Sequence, residues 1–183
     1  MTSAVIRLEV DEVKKWNGEM RVSNVEIVDG LPFLAIHSPV FAAMFFGDFA
    51  EKNQEDIELK DISHEDFVAV LHLIYPSYRP IWSGSVLSLL AIADLYDIKY
   101  IFNKVEEYLL KVDGRWPFFS LDYEGKLLLA DKYKLEALKL QCLHKLESIE
   151  EVTDVMETEE YTKFSDATKA AMLERIKAIH DKM

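Results

Sequence analysis

The side chains of this chain that could move protons, attack substrates or bind metals are five histidines, one cysteine and 33 carboxylates. Their spacing favours none of these roles. Cys142 and His144 stand two apart in a helical stretch. There i and i+2 face different sides, so the pair is badly placed to act as nucleophile and base. Cys142 reads instead as a small buried apolar residue. His64 and His72 lie about two helical turns apart, too far to share a metal directly. No CxxC or HxxxH occurs. The glycines Gly18, Gly30, Gly47, Gly84, Gly114 and Gly125 are scattered, so no phosphate-cradling loop follows a strand, and no GxSxG elbow is present. The acids from Glu147 to Glu160 have no Lys or Arg among them but lack the Asp-x-Asp-x-Asp-Gly spacing that wraps calcium. They read as a solvated helical face and loop. The expectation is a protein that is not an enzyme, with no catalytic residue, cofactor or metal. A small hydrolase using Cys142 or the acid cluster is the distant alternative.

One constellation points to binding. Met44-Phe45-Phe46-Gly47-Asp48-Phe49-Ala50-Glu51 sets large apolar residues around a helix end and a polar loop. Met44 and Phe45 fit an inward face. Phe49, flanked by Asp48 and Glu51, has no periodic reason to be buried. It is either an interaction anchor or a lid folded back on the core, and the residues alone weigh these evenly.

The elements that must hold that loop follow from periodicity. Ile6, Leu8 and Val10 alternate with charged residues, the period of a strand. Asn17-Gly18 is a type I′ turn signal, and Met20 to Ile27 reads as further strand, so residues 4–29 are expected to be hairpin-like. A short turn over 32–37 and a helix from Pro39 to Phe46, capped by Ser38 and ended by Gly47, come next. Asp48 to Asp56 reads as loop and Ile57 to Leu59 as a short strand. Ser63 caps a helix whose Phe67, Val70, Leu71 and Ile74 share one face, and Tyr75-Pro76 stops it. Helices follow over Val86 to Tyr96 and Ile98 to Leu110. Asp113 to Leu121, with Gly114 and Pro117, breaks the pattern. Three more helix signals lie beyond: Leu121 to Tyr133, Leu135 to Leu146, and Ser165 or Asp166 to Ile179. The fold class is α+β, dominated by α.

Charge narrows the partners. Lys and Arg number 21 against 33 Asp and Glu, a net charge of −12 over 183 residues. Such a balance disfavours nucleic acid, whose phosphates need a basic surface. From Lys145 onward ten acids face six bases, so −4 of the total lies there and −8 in the first 144 residues. Asp48, Glu51, Glu55 and Asp56 around the Phe49 loop form an acidic rim that favours a basic partner surface. A single cysteine permits no internal disulfide, the N-terminus has no signal-peptide pattern and no apolar run approaches a membrane span, so a cytoplasmic or nuclear protein with no membrane partner is expected.

Leu34-Ala35-Ile36-His37-Ser38-Pro39-Val40-Phe41-Ala42-Ala43-Met44-Phe45 resembles the signature of BTB/POZ domains. The likeness continues through Ile57 to Ile62, Phe67 to Tyr75, Leu89 to Tyr96 and Glu106 to Leu109, covering about residues 22–111. It is similar to the nematode type that often accompanies a MATH domain, here without one. The resemblance implies an N-terminal β segment over 1–21, a BTB/POZ domain over 22–112, and a BACK-like helical extension over 113–183. It implies a small sheet flanked by helices, acting by protein binding. Many members homodimerise, and many bind a cullin to serve as adaptors in a cullin–RING ubiquitin ligase. Phe49-Ala50-Glu51 falls where cullin-binding members carry a hydrophobic-x-Glu motif, which tips Phe49 towards an interface. The residues so implied for a cullin are Phe46, Phe49, Glu51, Tyr96 and Asp97, and for a dimer contact Phe33 and Leu34. Val28 to Phe33 lacks the basic residue usual in the family, and residues 1–18 show no helix. The alternative is a dimerisation scaffold, pairing with itself or other BTB proteins, that never touches a cullin.

Overall fold

The computed structural model describes residues 3–7, 25–26, 31–47, 56–75, 79–112 and 123–182. Three strands lie among the described residues, β1 (Ser3–Arg7), β2 (Val25–Glu26) and β3 (Asp56–Ser63), in the order β2-β1-β3. β1 runs antiparallel to β3, pairing Ala4 with Leu59, and parallel to β2, pairing Ile6 with Val25. The parallel pairing corrects the expected hairpin. A hairpin joins antiparallel strands by a tight turn, whereas parallel strands need a long crossover. The Asn17-Gly18 signal lies outside the described residues.

Nine helices are described: α1 (Leu31–His37), α2 (Pro39–Phe46), α3 (His64–Ile74), α4 (Val86–Leu95), α5 (Lys99–Lys111), α6 (Tyr123–Lys132), α7 (Glu136–Lys145), α8 (Ile149–Glu157) and α9 (Asp166–His180). The described residues are thus mostly helical. α1 replaces the turn expected over 32–37. Only Ser38 separates it from α2, because Pro39 sits where a missing N–H costs nothing, at the first turn. Gly47 ends α2 with an ordinary φ of −76°, so its left-handed freedom is not used. The strand expected at Ile57 to Leu59 is longer, running to Ser63.

The chain divides into two compact units, residues 1–102 and 103–183, the division falling within α5. In the first, α1 packs on α2, and α3 packs on α4, β1 and β3. Phe67, Val70, Leu71 and Ile74 are the buried face of α3, as their spacing predicts. The core centres on Leu34, Phe41, Leu59, Phe67, Leu89 and Leu90, all essentially without solvent contact.

In the second unit α6 packs on α7, and α9 packs on α7 and α8. Here side chains cap the ends of other helices. α7 begins after Leu135, which has no capping oxygen, and Glu106 of α5 accepts the Leu138 N–H at 3.0 Å instead. Lys126 is buried because its ammonium donates to the C=O groups of Leu109 (3.3 Å) and Val112 at the end of α5. Its charge also suits the negative end of that helix dipole. Asp131 receives the Ser165 N–H at 2.6 Å and the hydroxyls of Ser165 at 2.5 Å and Thr168 at 2.6 Å, binding α6 to the start of α9. Arg175 donates to Leu146 C=O (3.0 Å) and His144 C=O (3.1 Å) at the end of α7. The acidic stretch is largely helical: α8 starts with a full capping box, Ser148 and Glu151.

α4 and α6 end alike. Asp97 (φ 48°) and Lys134 (φ 55°) adopt the left-handed conformation without being glycine. The next N–H bonds back in each case, Ile98 to Ala93 C=O and Leu135 to Ala130 C=O, both at 2.8 Å. That is the Schellman pattern, completed by burial of Ile98 and Leu135. Beside Ile98, Ile101, Val105 and Leu109 form the expected apolar stripe of α5.

Candidate interaction surface

The binding constellation read from the sequence is centred on the end of α2. Four aromatic rings run inward from that end. Phe46 is 56% exposed. Its ring meets Phe45 edge-on, with centroids 6.3 Å apart at 88°. Phe45 stacks on Phe41 at 5.4 Å and 4°, and Phe41 stacks on Tyr96 at 4.4 Å and 17°. Phe67 meets Phe41 edge-on at 6.2 Å from α3. Such pairs add about 0.5–1.5 kcal/mol each beyond the area they bury, so Phe46 stands on a stiff base.

Ser38 ties the same two segments by polar contacts. Fully buried, its hydroxyl accepts the Phe41 N–H at 3.0 Å and donates to Tyr96 C=O at 2.5 Å. One oxygen therefore caps α2 and satisfies a carbonyl at the end of α4.

The expected cullin residues separate into three groups. Phe46 is exposed. Asp97 is exposed, turned out by its left-handed backbone. Tyr96, 5% exposed, corrects the expectation of a surface aromatic: its ring closes the core stack, and burial raises its phenol pKa. Phe49 and Glu51 lie outside the described residues. Leu95, 58% exposed beside Tyr96, is the apolar side chain that this end presents. An almost wholly apolar helix such as α4 has no polar face to reveal which leucine points outward.

The expected dimer residues divide likewise. Leu34 is 0% exposed and belongs to the core, so its side chain has no surface to offer a second copy. Phe33 is partly exposed at a cluster of rings: 5.0 Å from His37, 5.0 Å from Tyr75, with His37 in turn 5.3 Å from Tyr100. Burial pushes the Tyr75 phenol up to about 12. Ile36, 77% exposed, and Val40 extend this apolar face. Reading 32–37 as a turn hid Ile36, because only a helix gives those residues a common outward side.

The groups weighed for catalysis are placed otherwise. Cys142 is buried and burial pushes its thiol up to about 11, so it is no ready nucleophile. Among the described residues no group of three or more His, Cys, Asp and Glu could hold a metal ion, and no helix is long and apolar enough to cross a membrane.

Residues 32–112 match the BTB/POZ domain family. The chain is 40% identical over 144 residues to BTB and MATH domain-containing protein 38 of Caenorhabditis elegans, covering 79% of this chain and 36% of that protein. It is 33% identical over 147 residues to BTB and MATH domain-containing protein 36 of the same organism, 80% and 44%. Kelch-like protein 40 of Xenopus laevis is 33% identical over 78 residues, 43% and 13%. The chain thus spans less than half the length of these relatives.

Proposed function

This chain carries a BTB/POZ domain over residues 32–112, and from that premise we propose that it is an adaptor that binds the cullin scaffold of a cullin–RING ubiquitin ligase. BTB domains are interaction or adaptor modules rather than enzymes, and a protein-interaction role is common ground for every reading. The sheet and the helices up to residue 112 are read as an α+β BTB fold, and residues 113–183 as a BACK-like extension. The proposed cullin surface is the end of α2, the loop carrying Phe49-Ala50-Glu51, and the end of α4 at Leu95 and Asp97. The observation that carries it is Phe46, an aromatic ring held outside the core on the three rings of Phe45, Phe41 and Tyr96. A rigid exposed aromatic loses little entropy on docking and suits a hot spot. Glu51 would supply charge-assisted hydrogen bonds, and the acidic rim would speed approach of a basic cullin face, an effect that weakens as salt rises. The cytoplasm or nucleus is the place proposed for this activity.

Calorimetric titration with a cullin N-terminal domain tests the site. Phe46→Ala, and separately the double variant Phe49→Ala, Glu51→Ala, should each weaken binding by about tenfold or more. Wild-type affinity in both variants would remove the site.

A second reading, a BTB dimerisation scaffold that binds no cullin, is favoured by Ile36. Its exposure beside Phe33 and Val40 is unusual for a lone surface isoleucine and suits a self-complementary face. Light scattering should give a dimer for the wild type and a monomer for Ile36→Asp. A wild-type monomer that also fails to pair with another BTB protein ends this reading.

A further inference from the structure

Trp82 is the largest side chain the described residues leave at the surface, 66% exposed. It is nonetheless held in place. Its C=O accepts the Ser85 N–H at 3.0 Å and the Ser85 hydroxyl at 2.8 Å, pinning the short 3-10 turn Ser83–Ser85 before α4. Its ring rests on Gly84. A Cβ at that position would lie 2.4 to 2.7 Å from three carbons of the six-membered ring. Glycine at 84 is what lets the indole lie against the backbone.

The ring borders a cleft of about 270 Å³. One wall is the outer side of α3, with Glu65, Ala69 and Leu73. These are offset from the core stripe that starts at Phe67. Ile81, Trp82 and Leu89 form the other wall. The lining is largely apolar, with Glu65, Asp66 and Arg79 as its charged residues. Glu65 and Asp66 stand against Arg79, −2 and +1, leaving −1. His72 also lines the cleft, and burial together with Arg79 lowers its pKa, so it adds no charge at neutral pH. Asp66 is engaged by the Ser63 hydroxyl at 2.6 Å. Glu65 is exposed, and among the described residues it has no ion-pair partner.

We infer that this cleft docks an arginine-bearing segment of a protein partner, its guanidinium lying on the open face of Trp82 and pairing with the Glu65 carboxylate. A cation over an indole is the strongest of the side-chain cation–π pairs. The planar guanidinium can stack and pair with a carboxylate together, which an ammonium cannot do as well. Aliphatic neighbours of the arginine would cover Ala69, Leu73 and Ile81. The net negative charge disfavours an acidic peptide or a phosphate backbone. None of these residues belongs to the proposed cullin surface, so the two inferences stand or fall separately.

The test is an NMR titration of the full chain with an acetylated, amidated Ala-Leu-Arg-Leu-Ala peptide, following the three indole N–H signals of Trp16, Trp82 and Trp116. The Trp82 signal is assigned with Trp82→Phe. The peptide should shift it saturably, and the same peptide with Glu in place of Arg should leave it unmoved. Glu65→Gln should weaken binding about fivefold, the size expected for an exposed cation contact. Gly84→Ala should weaken it similarly by pushing the ring aside, with an unchanged far-UV spectrum. Equal shifts from the Glu and Arg peptides overturn the inference. So does movement of the Trp16 or Trp116 signal without that of Trp82, or full affinity in Glu65→Gln.

Discussion

Replacing Ser38 removes two hydrogen bonds through one oxygen atom, and the two can be measured apart. The hydroxyl caps α2 at the Phe41 N–H and donates to the buried Tyr96 C=O. Loss of an N-cap to alanine costs about 1 kcal/mol. A buried carbonyl left without a donor costs about 1–3 kcal/mol more. Ser38→Ala should therefore lose roughly 2–4 kcal/mol, with almost no cavity term because a single oxygen is deleted. Ser38→Gly separates the contributions, since glycine is tolerated at an N-cap with a loss of only a few tenths. It should still lose about 1–3 kcal/mol from the Tyr96 carbonyl alone. Urea denaturation followed by circular dichroism measures both, provided the slope with denaturant is unchanged. Suppose Ser38→Gly matches the wild type within about 0.5 kcal/mol while Ser38→Ala loses about 1. The bond to Tyr96 then contributes nothing, and the claim that Ser38 locks the end of α4 to α2 fails.

Other outcomes follow from the second unit. Lys126→Met keeps the aliphatic stem but leaves the carbonyls of Leu109 and Val112 without their donor, so it should cost about 1–3 kcal/mol in a urea melt; an unchanged midpoint would mean water serves them equally well. Lys134→Gly relieves a left-handed backbone and should raise stability by about 0.5–1 kcal/mol despite glycine's greater freedom when unfolded; a loss of stability would show that the lysine side chain matters more than its φ. Burial raises the Asp131 pKa, but the hydrogen bonds from Ser165 and Thr168 outweigh it and hold the carboxyl below its ordinary value. A folded pKa below the unfolded one means stability present above about pH 4 and lost as pH falls through the folded value. Asp131→Asn should thus flatten the acid limb of stability against pH, and an identical limb in both proteins would contradict this. Cys142, with its thiol pushed up to about 11, should resist a thiol reagent at pH 8 until urea unfolds the chain; rapid labelling of the native protein would reverse that reading.

Much of the helical plan was legible where apolar and polar residues alternate with a clear period. α3 is the plainest case: Ser63 marks its start, Tyr75-Pro76 its end, and Phe67, Val70, Leu71 and Ile74 its buried face. α5 reads the same way through Ile101, Val105 and Leu109. Patterns failed where a segment is apolar all round. In α1 and α2 nearly every residue could face the core; the pattern places Phe45 inward, as found, but nothing local sets exposed Ile36 apart from buried Leu34. The helix breaks at Asp97 and Lys134 are legible in the sequence, but their left-handed backbone is not, because the usual glycine is replaced by residues whose conformation goes with the packing of Ile98 and Leu135.

Composition, hydrophobic period and motif order mark an acidic, mostly helical chain with a BTB signature and an aromatic-rich helix end. Hydrophobic period, capping residues and motif order are local properties, and local properties survive in a linear string. Only packing in three dimensions settles which aromatic rings are buried and which stand outside. Tyr96 and Phe46 look alike as residue types, yet one closes a ring stack under Ser38 and the other stands outside it. It also decided that Glu106, Lys126, Asp131 and Arg175 serve the ends of other helices. Those pairings join residues 14 to 37 positions apart. Partners at that range are chosen by packing the two elements together, and no window of local sequence contains both.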